Sequence, residues 1–538
     1  MPETLDAPCV PPHRAATRLR EQRVVVVGAG VGGLVSALLL ACRGLEVTLV
    51  EAAPEPGGKM RQIVLGDARI DAGPTVFTMR WVFEEILADA GASVEDLLRL
   101  KPLSVLARHA WRGSDQRLDL LADVQHSADE IGRFSGPDEA RRFLAFCAEA
   151  RAVYQQLEAP ALRSPRPTLA GMIRDLGPSG LKTLAALGPF ATLWTRLGKH
   201  FRDPRLRQLF GRYATYCGGS PWQAPATLML IAHVEQSGVW ALEGGMHALA
   251  QALSGLAAQR GVRQRYGQRC EQILVEQGRV TGVRLEGGEL LGAQAVVFNG
   301  DTNALARGLL GPDVTSAVQS TPHHARSLSA LTWAVHGRTT GFPLVRHNVF
   351  FDEDYASEFD DIFRARQLPS RGTVYVCAQD RDDRATAPAG RERLLCLVNA
   401  PPDGDRRPFD APETDPCLNR SLALMQHCGL KIEDSPRLVA TTPADFERLF
   451  PATGGALYGP ATHGWMTLFR RPGSSSAVPG LFLAGGSVHP GPGVPMAALS
   501  GRLAAGAVMA HLDSTSRSRR GATSGGISTP SVTTADTA

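Results

Sequence analysis

The feature that most constrains this chain is a run of four valines followed at once by a glycine fingerprint. Residues 24–27 have the β-branched, apolar character of a strand that is buried on both faces of a parallel sheet. Gly28, Gly30 and Gly33 follow in G-x-G-x-x-G order, which suits a tight turn, a backbone that approaches a pyrophosphate, and a helix packed closely on the strand. The pattern predicts a dinucleotide-binding βαβ unit.

The next residues complete that unit. An apolar helix is predicted over 34–43, ending at Gly44, and a second apolar strand over 47–50. Glu51 follows at the position where a carboxylate receives the ribose hydroxyls of an adenosine. Because Glu51 would repel a 2′-phosphate, the pattern favours an NAD-like or FAD-like cofactor over NADP. A βαβ turn that binds no ligand is the alternative.

Composition excludes several classes of protein. The length of 538 residues suffices for two or more domains, and a net charge of +4 without a basic cluster argues against a nucleic-acid partner. The nine cysteines lack any C-x-x-C pair, which predicts reduced thiols in the cytoplasm and neither a disulfide frame nor a metal site. The N-terminal stretch lacks the apolar core of a signal peptide, and no apolar run reaches the roughly 18 residues of a spanning helix. Any membrane contact is therefore expected to be peripheral.

Two glycine-containing turn segments lie downstream of Glu51. Both can offer backbone N–H groups to a diphosphate, and the first also carries a cation. They comprise Gly57, Gly58 and Lys59 in the first segment, and Gly73, Pro74 and Thr75 in the second.

In this order the motifs resemble the flavoprotein superfamily of phytoene desaturases and amine oxidases. The order is a glycine fingerprint, a Glu, a Gly-Gly-cation segment and D-x-G-P-T, here residues 28–33, 51, 57–59 and 71–75. The resemblance extends over residues 24–512. It implies FAD and an α/β fold: a Rossmann-type FAD-binding domain of the glutathione-reductase-2/amine-oxidase kind, with a mixed α+β substrate domain and a helical membrane-facing part.

The resemblance also implies the cofactor-binding residues. The superfamily's C-terminal A-G-x-x-H-P-G-x-G-x-P segment matches residues 484–495, which are expected to contact the isoalloxazine ring, with His489 positioning it. A helix predicted over 497–512 would point its positive end at that ring. Cys270 is expected where the backbone meets the adenine. The implied set is Gly28, Ala29, Gly30, Gly32, Gly33, Glu51, Gly57, Gly58, Lys59, Gly73, Pro74, Thr75, Cys270, Gly485, Gly486, Val494, Pro495 and Met496.

The same considerations predict the domain organisation. The FAD-binding domain is discontinuous, and the substrate part is divided into a helical region and a sheet. The boundaries are 23–80, 236–310 and 470–512 for the FAD-binding domain, 81–235 for the helical substrate region, 311–469 for the substrate sheet, and 1–22 and 513–538 for flexible tails.

Within the superfamily, residues 213–221 and 347–351 resemble the 1-hydroxycarotenoid 3,4-desaturase branch of the bacterial carotenoid desaturases. This implies C-3,4 dehydrogenation of acyclic 1-hydroxycarotenoids such as 1-hydroxyneurosporene or rhodopin, in spheroidene or spirilloxanthin biosynthesis. Oxygen or a quinone is the expected electron acceptor. The expected location is the cytoplasmic face of the photosynthetic inner membrane. The amphipathic stretch 181–201 either contacts that membrane or packs inside the domain.

No catalytic residue can be assigned from the sequence. The Asp that phytoene desaturases carry before a Met is matched by Gly171, and a polyene delocalises developing charge, so positioning is the main requirement. A terminal hydroxyl calls for a buried polar side chain. The first candidate is His233, within an apolar run, followed by Tyr213 and Glu235; a histidine with a structural role is the alternative.

Four other functions share features with this interpretation. A phytoene desaturase, a flavin-dependent carotene isomerase and a non-catalytic lipid-binding protein would share the fold. An amine oxidase would need an aromatic cage at the flavin, which an aromatic content of 6% disfavours.

Overall fold

The computed structural model describes residues 22–523, except for positions 167, 169, 173, 175–176, 178–179, 181, 183–187, 189 and 384–385. The strands in this part of the chain are β1 (Arg23–Val27), β2 (Glu46–Val50), β3 (Gln62–Leu65), β4 (Ala68–Asp71), β5 (Phe77–Thr78), β6 (Leu100–Pro102), β7 (Val105–Trp111), β8 (Arg117–Leu121), β9 (Val239–Leu242), β10 (Arg263–Arg265), β11 (Cys270–Glu276), β12 (Arg279–Leu285), β13 (Leu290–Gly292), β14 (Ala295–Phe298), β15 (Ser329–Thr340), β16 (His347–Phe351), β17 (Val374–Ala378), β18 (Glu392–Ala400), β19 (Lys431–Thr441) and β20 (Leu481–Leu483).

The α-helices alternate with these strands. They are α1 (Val31–Cys42), α2 (Arg80–Asp89), α3 (Val94–Leu97), α4 (Val124–Ser135), α5 (Pro137–Leu157), α6 (Leu193–His200), α7 (Pro204–Gly211), α8 (Leu230–Gln236), α9 (Met246–Gln259), α10 (Thr302–Ala306), α11 (Tyr355–Asp360), α12 (Ala411–His427), α13 (Pro443–Leu449), α14 (Thr467–Arg470) and α15 (Val494–Thr523).

A five-stranded parallel sheet with the order β10-β2-β1-β14-β20 forms the floor of the first domain. Its central strand β1 pairs with β2 on one side and β14 on the other, and all four of its valines are buried. Helix α1 packs closely on α15: a Cβ on Gly501 would lie 2.3 Å from the Gly32 carbonyl oxygen, and the Ser36 hydroxyl donates to the carbonyls of Gly32 and Gly501. The sheet thus joins the N-terminal βαβ unit to β20 and α15 near the other end of the described chain.

A three-stranded antiparallel sheet, β11-β12-β13, follows the parallel sheet's edge strand. Its first hairpin turns at Gln277 and Gly278, both with positive φ. Alternating apolar residues on either side of a Gln-Gly turn are typical of such a hairpin.

A seven-stranded mixed sheet with the order β19-β15-β18-β17-β16-β7-β8 forms the substrate domain. Residues 81–235 were expected to be helical, yet this region contains β6, β7 and β8. Strand β7 pairs in parallel with β16, which lies more than 200 residues further along the chain (Asn348 with Arg108). Such a pairing depends on contacts that a local helical period does not report, so the substrate sheet extends beyond the predicted range 311–469.

The C-terminal end and the stretch 181–201 differ in part from the predicted organisation. Helix α15 continues to Thr523, so residues 513–523 extend the helix where a tail was expected, while residues 1–21 and 524–538 lie outside the described part. In the stretch 181–201 the described helix is α6, with Leu193 and Leu197 buried, and most positions from 181 to 189 lie outside the description. None of the described helices is long and apolar enough to cross a membrane.

Candidate active site

The glycine fingerprint forms a tight turn that leaves no room for side chains. Gly28 has φ +102° and its N–H donates to the Val50 carbonyl at 2.8 Å. A Cβ on Gly33 would lie 2.0 Å from the Gly28 carbonyl oxygen, and one on Gly30 would lie 2.7 Å from Asn299 Oδ1. The tight turn at Gly28 and the close approach at Gly33 agree with the sequence prediction, whereas the approach of Gly30 to a pyrophosphate stays a prediction.

Glu51 lies at the end of β2 with its carboxylate held in place. Oε2 accepts a hydrogen bond from the N–H of Ala29 at 2.6 Å, and Oε1 accepts one from the N–H of Ala53 at 2.8 Å. A fixed carboxylate beside the fingerprint is the arrangement that a ribose hydroxyl pair requires. The Glu51 carbonyl accepts from Gln268 N–H at 2.9 Å, which places the segment leading to Cys270 at the same end of the sheet. Burial raises the pKa of the Cys270 thiol to about 12, so it is protonated.

The second glycine pair packs directly on the fingerprint. Gly57 N–H donates to the Ala29 carbonyl at 2.9 Å, and a Cβ on Gly58 would lie 3.2 Å from the Gly30 Cα. Lys59 is turned away from solvent, and its Nζ donates to the Leu457 carbonyl at 2.5 Å. Burial lowers the pKa of Lys59, and the negative charge of Asp301 offsets only part of this shift. A contact of Lys59 with the diphosphate stays a prediction.

The D-x-G-P-T segment is held by its aspartate. The Asp71 carboxylate accepts hydrogen bonds from Met246 N–H, the first residue of α9, and from Gln62 Nε2. Only a glycine fits before that helix, because a Cβ on Gly245 would lie 2.0 Å from Asp71 Oδ2. No role was predicted for Asp71, because its contact with Gly245 joins residues that are too far apart in the sequence to form a local pattern. In the same segment, a Cβ on Gly73 would lie 1.8 Å from the Lys59 carbonyl oxygen.

Asn299 lies between the N-terminal fingerprint and the C-terminal glycines, and it was not predicted as a site residue. Its Nδ2 donates to the Ala484 carbonyl at 3.1 Å, and Cβ atoms on Gly32 and Gly485 would each lie 2.8 Å from that nitrogen. Its buried Oδ1 has no hydrogen-bond partner within the described part of the chain. The sequence pattern that could have indicated this residue is a side-chain amide directly after a buried strand. The fingerprint and the C-terminal glycines therefore meet at Asn299.

Arg471 is the second missed residue at this end of the molecule. It is buried, and its guanidinium donates to the carbonyls of Tyr458 at 3.1 Å, Gly486 at 3.1 Å and Pro460 at 2.8 Å. Burial lowers its pKa to about 10, so it carries its charge at neutral pH. Nearby His489 is fully buried, and burial lowers its pKa to about 4. His489 is therefore a neutral imidazole beside the predicted flavin segment.

The predicted flavin segment leads into α15. Gly485 N–H donates to Ser500 Oγ at 3.1 Å, and Val494, Pro495 and Met496 form the first turn of the helix. The structure thus brings together the fingerprint glycines, the pair Gly57 and Gly58, Glu51 and the start of α15. A Cβ on any glycine of this cradle would meet backbone or Asn299, so the residues present fit an adenine dinucleotide laid along them.

The candidates for substrate recognition lie in two different places. Glu235 accepts hydrogen bonds from Tyr213 Oη at 2.7 Å and from Tyr216 Oη at 3.0 Å, and the group is buried. His233 lies on the same helix as Glu235 but packs edge-on against Tyr154, with ring centroids 5.0 Å apart. Burial lowers the pKa of His233. The structure therefore joins Tyr213 to Glu235 and places His233 with other partners.

Sequence comparison identifies the class. The family model of the flavin containing amine oxidoreductases matches residues 31–509, and the chain belongs to that family. This confirms the predicted FAD-binding fold of the amine-oxidase kind and its flavin cofactor.

Particular relatives refine this result. The chain is 69% identical over 522 residues to the hydroxyneurosporene desaturase of Rubrivivax gelatinosus, covering 96% of this chain and 99% of that protein. It is 32% identical to the zeta-carotene-forming phytoene desaturase of Myxococcus xanthus, covering 93% and 96%. Among solved structures, an oxidoreductase from Methanosarcina mazei is similar with a TM-score of 0.56 at 17% identity, covering 91% and 100%. The carotenoid-desaturase resemblance is confirmed.

Proposed function

We propose that this protein is an FAD-dependent desaturase that introduces the C-3,4 double bond into acyclic 1-hydroxycarotenoids, such as 1-hydroxyneurosporene or rhodopin. The observation that carries the proposal is the 69% identity to a hydroxyneurosporene desaturase over nearly the full length of both chains. The identity to the phytoene desaturase is less than half of that value, which favours a hydroxylated substrate over phytoene.

The residues of the chain suit a reaction that depends on positioning. FAD, when bound, supplies the acceptor for the hydride equivalent that leaves the substrate. Glu51 would hold the ribose hydroxyls, the two glycine pairs would line the diphosphate, and the segment after Gly485 would border the flavin ring. The position that aligns with the phytoene-desaturase Asp is Gly171, whose N–H donates to Thr168 Oγ1 at 3.0 Å. No carboxylate acts there, and the conjugated chain itself delocalises the developing charge.

The function is tested by anaerobic mixing of the purified flavoprotein with 1-hydroxyneurosporene in liposomes. The expected result is bleaching of the flavin absorbance together with a red shift of the polyene spectrum, because one conjugated double bond is added. A changed carotenoid isomer without net flavin reduction would instead identify an isomerase. An unchanged flavin together with an unchanged carotenoid would identify a lipid-binding protein. Admitting oxygen or a quinone after bleaching then identifies the acceptor by the faster return of oxidised flavin.

We further propose that the protein associates peripherally with the cytoplasmic face of the photosynthetic inner membrane. Two aromatic side chains support this. Phe190 is 77% exposed and Trp465 is 41% exposed, and their rings meet edge-on with centroids 6.0 Å apart. Exposed Lys199 lies on α6, just beyond Phe190 in the chain. Exposed aromatic rings favour the headgroup region of a bilayer, and an exposed lysine in the same stretch of the chain favours anionic lipids.

Replacing Phe190 and Trp465 together by serine is expected to lower binding to anionic liposomes at least tenfold. Burial of a large apolar side chain contributes about 1.5–3 kcal/mol, so two of them account for such a loss. The measurement is co-sedimentation with vesicles across a lipid titration. Leu290→Ser is the matched control, because Leu290 is 63% exposed on β13 of the other domain. Equal binding of the double variant and the control would refute the patch.

A further inference from the structure

A buried polar cluster lies in the substrate region, formed by Arg212, Tyr213, Tyr216 and Glu235. The Glu235 carboxylate accepts from both tyrosine hydroxyls, at 2.7 Å from Tyr213 and 3.0 Å from Tyr216. Arg212 donates through Nη1 to the Tyr216 hydroxyl. Tyr213 is 1% exposed and Arg212 is 6% exposed, and the surroundings are apolar side chains of the helical region. Burying a guanidinium and a carboxylate, here bridged by the Tyr216 hydroxyl, is costly unless each polar atom finds a partner.

Arg212 is not satisfied by the protein. Its Nε and Nη2 atoms are buried and have no hydrogen-bond partner among the residues that the structure describes. Buried guanidinium N–H groups almost always meet an acceptor. Tyr216, itself held by Glu235, fixes the Nη1 side of the guanidinium, so the edge formed by Nε and Nη2 is left to receive an oxygen atom from a ligand.

A second group of hydrogen-bonding side chains begins in the D-x-G-P-T segment and lies in the same buried region of the substrate domain. Thr75 Oγ1 and the Tyr375 hydroxyl are 2.6 Å apart, and that hydroxyl is 2.7 Å from His347 Nδ1. His347 Nε2 is buried and also lacks a partner in the described ranges. We refer to Thr75, Tyr375 and His347 as the Thr75 relay.

The polar cluster and the Thr75 relay lie against the same apolar core, because Tyr216 and Tyr375 both pack on it. Burial, the charge of Arg346 and the charge of Arg212 together lower the pKa of His347 to about 3, so its imidazole is neutral at physiological pH. Burial raises the pKa of Tyr375, and Tyr216 contributes to this rise. A neutral imidazole has one donor and one acceptor nitrogen, and it can therefore face either the oxygen or the proton of an alcohol.

We propose that the free edge of Arg212 and Nε2 of His347 bind the tertiary 1-hydroxyl of the carotenoid and thereby select hydroxylated substrates. The inference rests on the proposed function and names the residues that confer its specificity. The reacting carbons lie only two and three bonds from the hydroxylated carbon, so the hydroxyl site has to lie beside the flavin. The Thr75 relay begins in the D-x-G-P-T segment, which the sequence predicts to bind the cofactor, and leads from there to His347.

The test compares two substrates that differ only in the hydroxyl: 1-hydroxyneurosporene and 1,2-dihydroneurosporene. Anaerobic flavin reduction gives kcat/KM for each, and the ratio is the readout. The wild type is expected to favour the hydroxylated carotenoid by about tenfold to a hundredfold. Arg212→Lys keeps a charge opposite Glu235 but loses the planar fork, and it should bring the ratio close to one by slowing only the hydroxylated substrate.

Two further variants keep the test decisive. His347→Gln is expected to lower the ratio in the same way, and it carries the test if Arg212→Lys does not retain flavin. Arg205→Lys is the matched control, because Arg205 pairs with Asp203 outside the cluster, and its ratio should equal that of the wild type. A wild type that desaturates both carotenoids equally, or variants that keep the wild-type ratio, would overturn the inference while leaving the desaturase function intact. A wild type that reduces its flavin with neither carotenoid would refute the proposed function itself.

Discussion

Gly33→Ala is expected to be purified without its flavin and to unfold at markedly lower urea concentration. The new Cβ would lie 2.0 Å from the Gly28 carbonyl oxygen and 3.0 Å from Asn299 Oδ1. The first of these atoms is backbone at the fingerprint turn and has no rotamer by which to move away. Helix α1 must then shift from β1, which opens the cradle and overpacks the central sheet at a cost of about 1–3 kcal/mol or more.

Gly255→Ala provides the matched control for this substitution. Gly255 also lies inside a helix, α9, but a Cβ there would meet nothing within 4 Å. Alanine should therefore stabilise the protein by about 0.5–1 kcal/mol through its helix propensity. The measurements are the flavin-to-protein absorbance ratio after gel filtration and urea unfolding curves. A Gly33→Ala protein with full flavin content and the stability of Gly255→Ala would contradict this prediction. It would show that the close packing of α1 on the fingerprint turn is not needed for flavin binding or stability.

The parts of the fold that the sequence predicted best are those set by neighbouring residues. The first strand, the helix ending before Gly44, the second strand and Glu51 depend on β-branched runs, glycines and an apolar helix within about thirty residues of one another. The structure has this unit as β1, α1 and β2. Helix α1 begins at Val31 rather than at the predicted residue 34, because the fingerprint glycines themselves form its first turn.

The parts that sequence patterns did not predict depend on distant partners. Strand β7 lies in a region with a helical texture, and its place in the substrate sheet becomes visible only from its pairing with β16. Asp71 and Gly245 are similarly far apart in sequence, yet the carboxylate occupies the space that a side chain on the glycine would need. No local period encodes either relation.

In the candidate site, too, residues in local sequence patterns were predicted and residues that act through distant partners were not. The glycine pairs and Glu51 carry a spacing signal and were predicted, whereas Asn299 and Arg471 act through carbonyls and glycines brought together by folding. His233 was chosen because a histidine interrupts an apolar run. On a helix, however, the residue two positions away points to a different face, and it is Glu235 that faces Tyr213.

Arg471→Met is expected to lower the free energy of unfolding by about 3 kcal/mol or more and to weaken FAD retention at least tenfold. The guanidinium donates to the carbonyls of Tyr458, Pro460 and Gly486, and methionine leaves all three without a donor. Each of these partly buried hydrogen bonds contributes about 1 kcal/mol, so the loss of all three accounts for the expected change. Since Gly486 belongs to the predicted flavin segment, its loop loses the contact that fixes it against the 458–460 segment.

The neighbouring arginine separates this effect from a general loss of charge. Arg470 is exposed at the end of α14, so Arg470→Met removes the same charge with an expected change within about 0.5 kcal/mol. Arg471→Lys should fall between the two, because an ammonium on a flexible stem lacks the planar fork that reaches several carbonyls at once. The measurements are urea unfolding and the rate at which flavin fluorescence appears on dilution. If Arg471→Met released flavin no faster than Arg470→Met, Arg471 would serve only the stability of its own loop and have no part in holding the cofactor.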